Sequence, residues 1–304
     1  MKKMITAITA AALLTAAPIS AYADAPDPTT YIPTIYFKAL PESPILTLPS
    51  GMPYVNTKAA ADDTYTIPAH VYLKDECKRV GQFTFKWLWT DDNVYLNNIQ
   101  TPIEAGTSAP YTGYDTNGVK NDTAVSISKF YSEKDKMIGI DYSNISVKPL
   151  ETTGEASDSF PVALFDVNVK NTASPDYYDF SFKTEQPYVS NIAYRVTDIA
   201  LRDIRPNGDN ALPLTIAVTD RSLGDVNDDG IVDGKDATAV LTDYALSSAN
   251  KEGKLTKAQL IAADVNGNVI VDGNDATKIL SYYAFTSASN EGLFIDYLNG
   301  KLKK

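Results

Sequence analysis

The sequence predicts two unlike parts in tandem, an all-β sandwich followed by a small all-α module built from a duplicated loop-helix unit. Two observations carry this. Apolar and polar residues alternate with a period of two through most of residues 24–220, and long helical stripes are absent there. An acidic twelve-residue segment occurs twice near the C-terminus, at 225–236 and 264–275, and each copy runs into a short amphipathic stretch.

The chain opens Met1-Lys2-Lys3-Met4, continues with an apolar stretch from Ile5 to Ala17, and reaches Ala21-Tyr22-Ala23 before Asp24. A basic start, a short apolar core and an Ala-x-Ala site predict a secretory signal peptide at residues 1–23, cleaved after Ala23. The stretch is short for a transmembrane span, and no later segment is apolar enough for one. The expected location is extracellular.

A net charge of −11 and a pI near 4.6 argue against nucleic acid and against an anionic membrane surface as partners. The single cysteine, Cys77, rules out an intramolecular disulfide. Stability must come from core burial and bound ions, which a mature chain of about 280 residues can supply.

Residues 24–220 are enough for one β-rich domain, with its core expected from about residue 60. Strand-like runs fall at 65–73, 80–90, 124–130, 137–141, 160–170, 177–183 and 188–196, and a further one at 214–220. Turn-rich segments at 105–121 and 152–159 separate them, which argues for two antiparallel sheets packed as a sandwich. Pro26 to Gly51, with six prolines, reads as a leader strand and loops outside the compact core. Phe83, Phe85, Trp87 and Trp89 alternate and so share one strand face. That face is either the inner wall of the sandwich or an exposed platform for sugar rings, with Trp87 and Trp89 as candidate glycan contacts.

The two acidic segments align over 24 positions, 225–248 with 264–287, with 14 identities. Oxygen-bearing side chains recur at loop positions 1, 3, 5, 9 and 12. Calcium takes six to eight oxygens in flexible geometry, and a short loop with oxygens at alternate positions can wrap it. The first candidate ligand set is Asp225, Asn227, Asp229, Asp233 and Asp236 with the Ile231 carbonyl. The second is Asp264, Asn266, Asn268, Asp272 and Asp275 with the Ile270 carbonyl. Position 6 is Gly230 in the first loop, suited to a positive φ, but Val269 in the second, where that conformation is costly. With three carboxylates against four, the second site is expected to be the weaker.

After each loop comes a helical pattern with apolar residues in one stripe, Val240, Leu241, Tyr244 and Ala245 in one copy and Ile279, Leu280, Tyr283 and Ala284 in the other. Thr256 followed by Gln259 is a capping-box start for a short connecting helix running toward Ala263. No helix precedes the first loop, and position 12 is Asp where an ordinary EF-hand carries Glu.

In these departures the segment 223–290 resembles a type I dockerin, the module that plugs secreted polysaccharide-degrading proteins into a cellulosome-type scaffold. The domain boundaries drawn from this are 221–290 for the dockerin and 291–304 for a C-terminal tail. The resemblance implies that the module binds a cohesin of a scaffoldin and needs calcium, held at two sites, to fold. It places partner choice at loop positions 10 and 11 and along the following helix. Here those are Gly234, Lys235, Thr238 and Leu241, and Gly273, Asn274, Thr277 and Leu280. The near-symmetric halves imply that either helix can face the partner, a symmetry that Lys235 against Asn274 and Asp243 against Tyr282 break.

A second resemblance rests on residues 64–74 followed by 80–96, and on residues 160–182, which are similar to the opening and the late strands of a cohesin jelly roll. Trp89-Thr90-Asp91-Asp92-Asn93 stands where a cohesin has a Tyr-Asp-Pro turn, so dockerin-contacting residues are not assigned.

Catalysis finds little support. The only histidine, His70, falls inside a strand pattern. Glycosidases need two carboxylates, and Glu104, Glu133, Glu151, Glu155 and Glu185 stand mostly in turn-like segments. Three functions remain open for the sandwich: a cohesin-like adaptor for a second dockerin-bearing protein, a plant-polysaccharide binder, or a small glycoside hydrolase.

Overall fold

The computed structural model describes residues 33–59, 63–74, 80–101, 104, 125–144, 159–180, 195–198 and 211–302. The leader at 1–23, Cys77, the strand reading at 188–194, Glu151, Glu155 and Glu185 lie outside the described residues. The described strands are β1 (Thr34–Ala39), β2 (Leu46–Thr47), β3 (Pro53–Asn56), β4 (Thr64–Lys74), β5 (Val80–Leu88), β6 (Val94–Gln100), β7 (Val125–Ser132), β8 (Met137–Asn144), β9 (Ser159–Lys170), β10 (Asp176–Phe180), β11 (Arg195–Asp198) and β12 (Leu214–Thr219). The helices are α1 (Gly234–Ser248), α2 (Lys257–Ala263), α3 (Gly273–Ser287) and α4 (Phe294–Leu298).

Two four-stranded antiparallel sheets, ordered β1-β4-β9-β6 and β11-β5-β8-β7, form the sandwich. Alternation along β4 sends Tyr65, Ile67, Ala69, Val71 and Leu73 inward. The aromatic strand β5 answers from the other sheet, with Phe83, Phe85 and Trp87 fully buried. Trp87 packs on Phe165 of β9 with ring centroids 5.2 Å apart, and Phe83 stacks on Tyr142 of β8 at 4.9 Å. Trp89 is also buried, at 6% exposure. The glycan-contact reading of Trp87 and Trp89 is therefore corrected: both faces are covered by the sandwich, and neither ring can stack on a sugar.

The structure differs from a two-sheet sandwich by a third sheet, ordered β10-β12-β3-β2. Its central pair is parallel, with Ala217 beside Tyr54 and Val218 beside Val55. Both faces of this sheet are covered, as central parallel strands require. Leu214, Ile216, Val218, Val55 and Phe180 join the sandwich core. Tyr54, Ala217 and Leu48 face the other way, into a second core with Val226, Val240, Ile261, Val265 and Ile279 of the helical part. The third sheet is thus a middle layer shared by both parts. The proline-rich segment also differs from its reading outside the core, because β1 pairs along β4 and Ile35 is fully buried.

In the helical part α2 starts as read, with Thr256 Oγ1 accepting from the Gln259 amide and Gln259 Oε1 accepting from the Thr256 amide. The residues read as a C-terminal tail carry α4, which closes the module. Phe294 lies 4.7 Å from the Tyr282 ring, and Tyr297 lies 5.2 Å from Phe285. Phe294 also rests over Gly224, where a Cβ would come within 2.4 Å of the ring and φ is +82°.

His70 points to the outer face of β4, beside Tyr72 at 3.5 Å. Burial first, and then Lys38, hold its pKa below the ordinary value.

Candidate metal centre and helix faces

Both acidic loops fold on one plan, set by positive φ at positions 4 and 6. These are Asp228 (63°) and Gly230 (83°) in the first loop, and Gly267 (75°) and Val269 (67°) in the second. The left-handed residues aim successive amides inward, and the position-1 carboxylate receives them. Asp225 accepts from the amides of Asp229 (3.1 Å) and Gly230 (2.9 Å). Asp264 accepts from Gly267 (2.9 Å), Asn268 (3.1 Å) and Val269 (2.9 Å).

Position 12 closes each loop from the first turn of the helix. Asp236 accepts from the amides of Val226 (2.8 Å), Asn227 (3.1 Å) and Asp233 (2.9 Å). Asp275 accepts from Asn266 (3.3 Å) and Asp272 (3.1 Å). Position 9 caps the helix, with Asp233 accepting from Lys235 and Asp272 from Asn274, each at 2.7 Å. Asp236 and Asp275 are both fully buried. Burial raises the carboxyl pKa of each, and that of Asp275 is pushed up to about 6.

Among the described residues no three His, Cys, Asp or Glu side chains lie close enough together to hold a metal between them. The loop carboxylates turn to backbone amides and, in the first loop, to Lys235, whose ammonium lies 2.9 Å from Asp229 Oδ2. The donor set nevertheless fits a hard cation. Every side chain at the five ligand positions offers oxygen, and the buried carboxylates of both loops are poor places for charge unless a cation offsets it. Asp225, Asn227, Asp229, Asp233 and Asp236 with the Ile231 carbonyl, and Asp264, Asn266, Asn268, Asp272 and Asp275 with the Ile270 carbonyl, are the groups that would hold calcium.

Val269 occupies the left-handed conformation that its sequence position demands, at 48% exposure. A left-handed non-glycine residue costs about 1–2 kcal/mol, while glycine adds roughly 0.5–1 kcal/mol of chain entropy. Little packing is lost at so exposed a site, so Val269→Gly should stabilise the chain by up to about 1 kcal/mol, read as a higher urea midpoint with an unchanged slope.

The helix stripes split on folding. Val240 and Ile279 are fully buried in the shared core. Leu241 (42% exposed) and Tyr244 (44%) on α1, and Leu280 (42%) and Tyr283 (46%) on α3, face outward. Thr238 and Thr277 share that exposure, and their hydroxyls donate to the Gly234 and Gly273 carbonyls. Each helix therefore presents the same Leu–Tyr pair three residues apart, with the Gly–Lys or Gly–Asn step of its loop at the near end. The periodicity named these residues but not which of them faced out.

Asp243 and Tyr282, read as symmetry breakers on the helix faces, are engaged inside the module. Asp243 accepts from the amides of Lys254 and Leu255, and the Tyr282 hydroxyl donates to the Gly292 carbonyl at 2.8 Å. The side chain that sequence reasoning missed is Tyr177. Its hydroxyl donates to Asp264 Oδ2 at 2.8 Å.

Residues 223–282 match the Dockerin type I domain. No curated protein matches the chain. Among solved structures, the chain is similar to a type I cohesin-dockerin complex from Clostridium thermocellum, at 12% identity over 61% of this chain and 99% of that one, with a TM-score of 0.34. It is similar to a type II cohesin domain from the cellulosome of Acetivibrio cellulolyticus, at 17% identity over 52% and 90%, with a TM-score of 0.32. It is also similar to a type III cohesin module from a cell-surface anchoring scaffoldin of Ruminococcus flavefaciens, at 11% identity over 62% and 89%, with a TM-score of 0.35.

Proposed function

We propose, from a type I dockerin domain at residues 223–282, that this chain is a non-catalytic, extracellular component of a cellulosome-type assembly. Its C-terminal module docks onto a cohesin of a scaffoldin when its two loops hold calcium. The observation that carries this reading is the duplicated surface. Two acidic loops of one fold each lead into a helix with an outward Leu–Tyr pair, Leu241 with Tyr244 and Leu280 with Tyr283. Apolar side chains so exposed are the material of a protein interface. Bound calcium would supply loop rigidity, and Asp229, whose Oδ2 meets the Lys235 ammonium at 2.9 Å, would be one of the groups that hold it.

The β-sandwich serves in this reading as a cohesin-like adaptor for a second, dockerin-bearing protein. The supporting observation is that the cohesin-like stretches of the sequence fall on β4, β5, β6, β9 and β10. No residue-level contact is assigned on that domain. Burial of Trp87 and Trp89 leaves the polysaccharide reading without its two candidate contacts.

Titration of a type I cohesin with helix-face variants tests the docking reading. Leu241→Asp with Leu280→Asp should weaken binding by about thirtyfold or more, the effect of losing about 2 kcal/mol at an interface centre. Undiminished binding by that double variant would sink the assignment of these faces.

A further inference from the structure

The two loops share a backbone plan but not their surroundings, and the difference lies on the side of the middle sheet. In the first loop, position 4 is Asp228, exposed and bridged only loosely to Lys58 (3.9 Å) and Arg221 (3.7 Å). In the second it is Gly267, which is buried against the β2–β3 turn. A Cβ there would come within 2.3 Å of Ser50 Oγ and 3.0 Å of the Leu48 Cβ, at a φ of +75°. The second loop is pressed onto the β part at a point where the first is open to water.

At the same place β10 reaches into the loop. Tyr177 Oη donates to Asp264 Oδ2 at 2.8 Å, on the oxygen that also receives the Val269 amide. Tyr177 is itself fixed. Lys257 of α2 lies over its ring at 5.5 Å and bridges to the neighbouring Asp176 at 2.8 Å. The corresponding bonds to Asp225 in the first loop come from the loop amides of Asp229 and Gly230. A hydrogen-bonded partner behind a metal ligand fixes its orientation and raises affinity, by about 10–100-fold where such partners have been removed.

We infer that Tyr177 is a positioning residue of the second calcium site, so that this site is completed by the β-sheet part of the chain and not by the dockerin repeat alone. The inference rests on the calcium reading above. It accounts for a second loop with one carboxylate fewer and a strained Val269 by giving its position-1 carboxylate a donor from the β part, which Asp225 does not have among the described residues. Tyr177 clamps Asp264 Oδ2 and the β2–β3 turn braces Gly267, so the loop is held in its binding shape before the ion arrives.

The test follows the amide resonances of Gly230 and Gly267 during calcium titration of the full chain, each glycine reporting its own loop. In Tyr177→Phe, the Gly267 midpoint should move to calcium concentrations about tenfold higher or more, while the Gly230 midpoint stays in place. Asn299→Ala removes a different bond across the same boundary, the one to the Thr47 carbonyl at 3.1 Å, and should move neither midpoint. An unmoved Gly267 midpoint in Tyr177→Phe, or equal movement of both midpoints, would overturn the positioning role and leave the calcium reading standing. A native chain in which neither glycine responds to calcium would overturn both.

Discussion

Trp87→Ala should cost the chain about 3–5 kcal/mol, the range for removing a large aromatic side chain from a packed core. Trp87 is fully buried between the two sheets of the sandwich and meets Phe37, Phe85 and Phe165 at centroid distances of 6.3, 6.2 and 5.2 Å. Those three rings sit on three strands of both sheets, so local collapse cannot refill the hole. Tyr131→Ala is the contrast. Tyr131 is 49% exposed and stacks on Trp89 at 6.3 Å. Its loss should cost no more than about 1.5 kcal/mol. Urea unfolding of the two variants separates these values, and equal costs would place Trp87 at the surface.

Removing calcium should have an effect of similar size on the helical part. A ligand at a thousand times its Kd stabilises a fold by about 4 kcal/mol per site, and the proposed function gives this chain two such loops. Without the ion, Asp236 and Asp275 are buried carboxylates facing Asp225 and Asp264. Calcium-free protein should therefore lose far-UV helical signal at a lower temperature than calcium-loaded protein.

The sign of the pH dependence follows from Asp275. Its folded-state pKa is about 6 against an ordinary value of 3.8. The calcium-free fold thus binds a proton that the unfolded chain releases between those values. Its contribution to stability is present below about pH 4 and lost as pH rises through 6. Asp236 shifts in the same direction. Calcium must displace that proton, so the melting difference between loaded and calcium-free protein should be larger at pH 7.5 than at pH 5. A difference that grows on acidification would contradict the burial of these two groups.

What was legible in the sequence was what local chemistry determines. That the two acidic segments fold alike was readable because their side chains repeat at fixed spacing, and α2 because Thr256 and Gln259 satisfy each other's amides. Alternation along β5 put Phe83, Phe85 and Trp87 on one face, but that this face points inward came from the packing of the other sheet. Long-range pairing was not legible. Nothing local joins residues 53–56 to 214–219, yet their parallel pairing creates the middle sheet and the shared core. The stripe at Val240, Leu241 and Tyr244 named apolar positions without saying which would be covered, since that depends on what packs against the helix. One trace of the boundary contact was present. Glycine moved from position 6 of the first loop to position 4 of the second, Gly230 against Gly267, and only the second is braced by Leu48 and Ser50. Tyr177 left no trace, because it lies 87 residues from Asp264 and belongs to a strand with its own reason for an aromatic.

The most direct test of the account is isothermal titration of the full chain with a type I cohesin, first in millimolar calcium and then in calcium-free buffer. Binding should be saturable in calcium, disappear without it and return when the ion is restored. Binding of equal strength in both buffers, or no binding to any member of a type I cohesin panel in calcium, would contradict it.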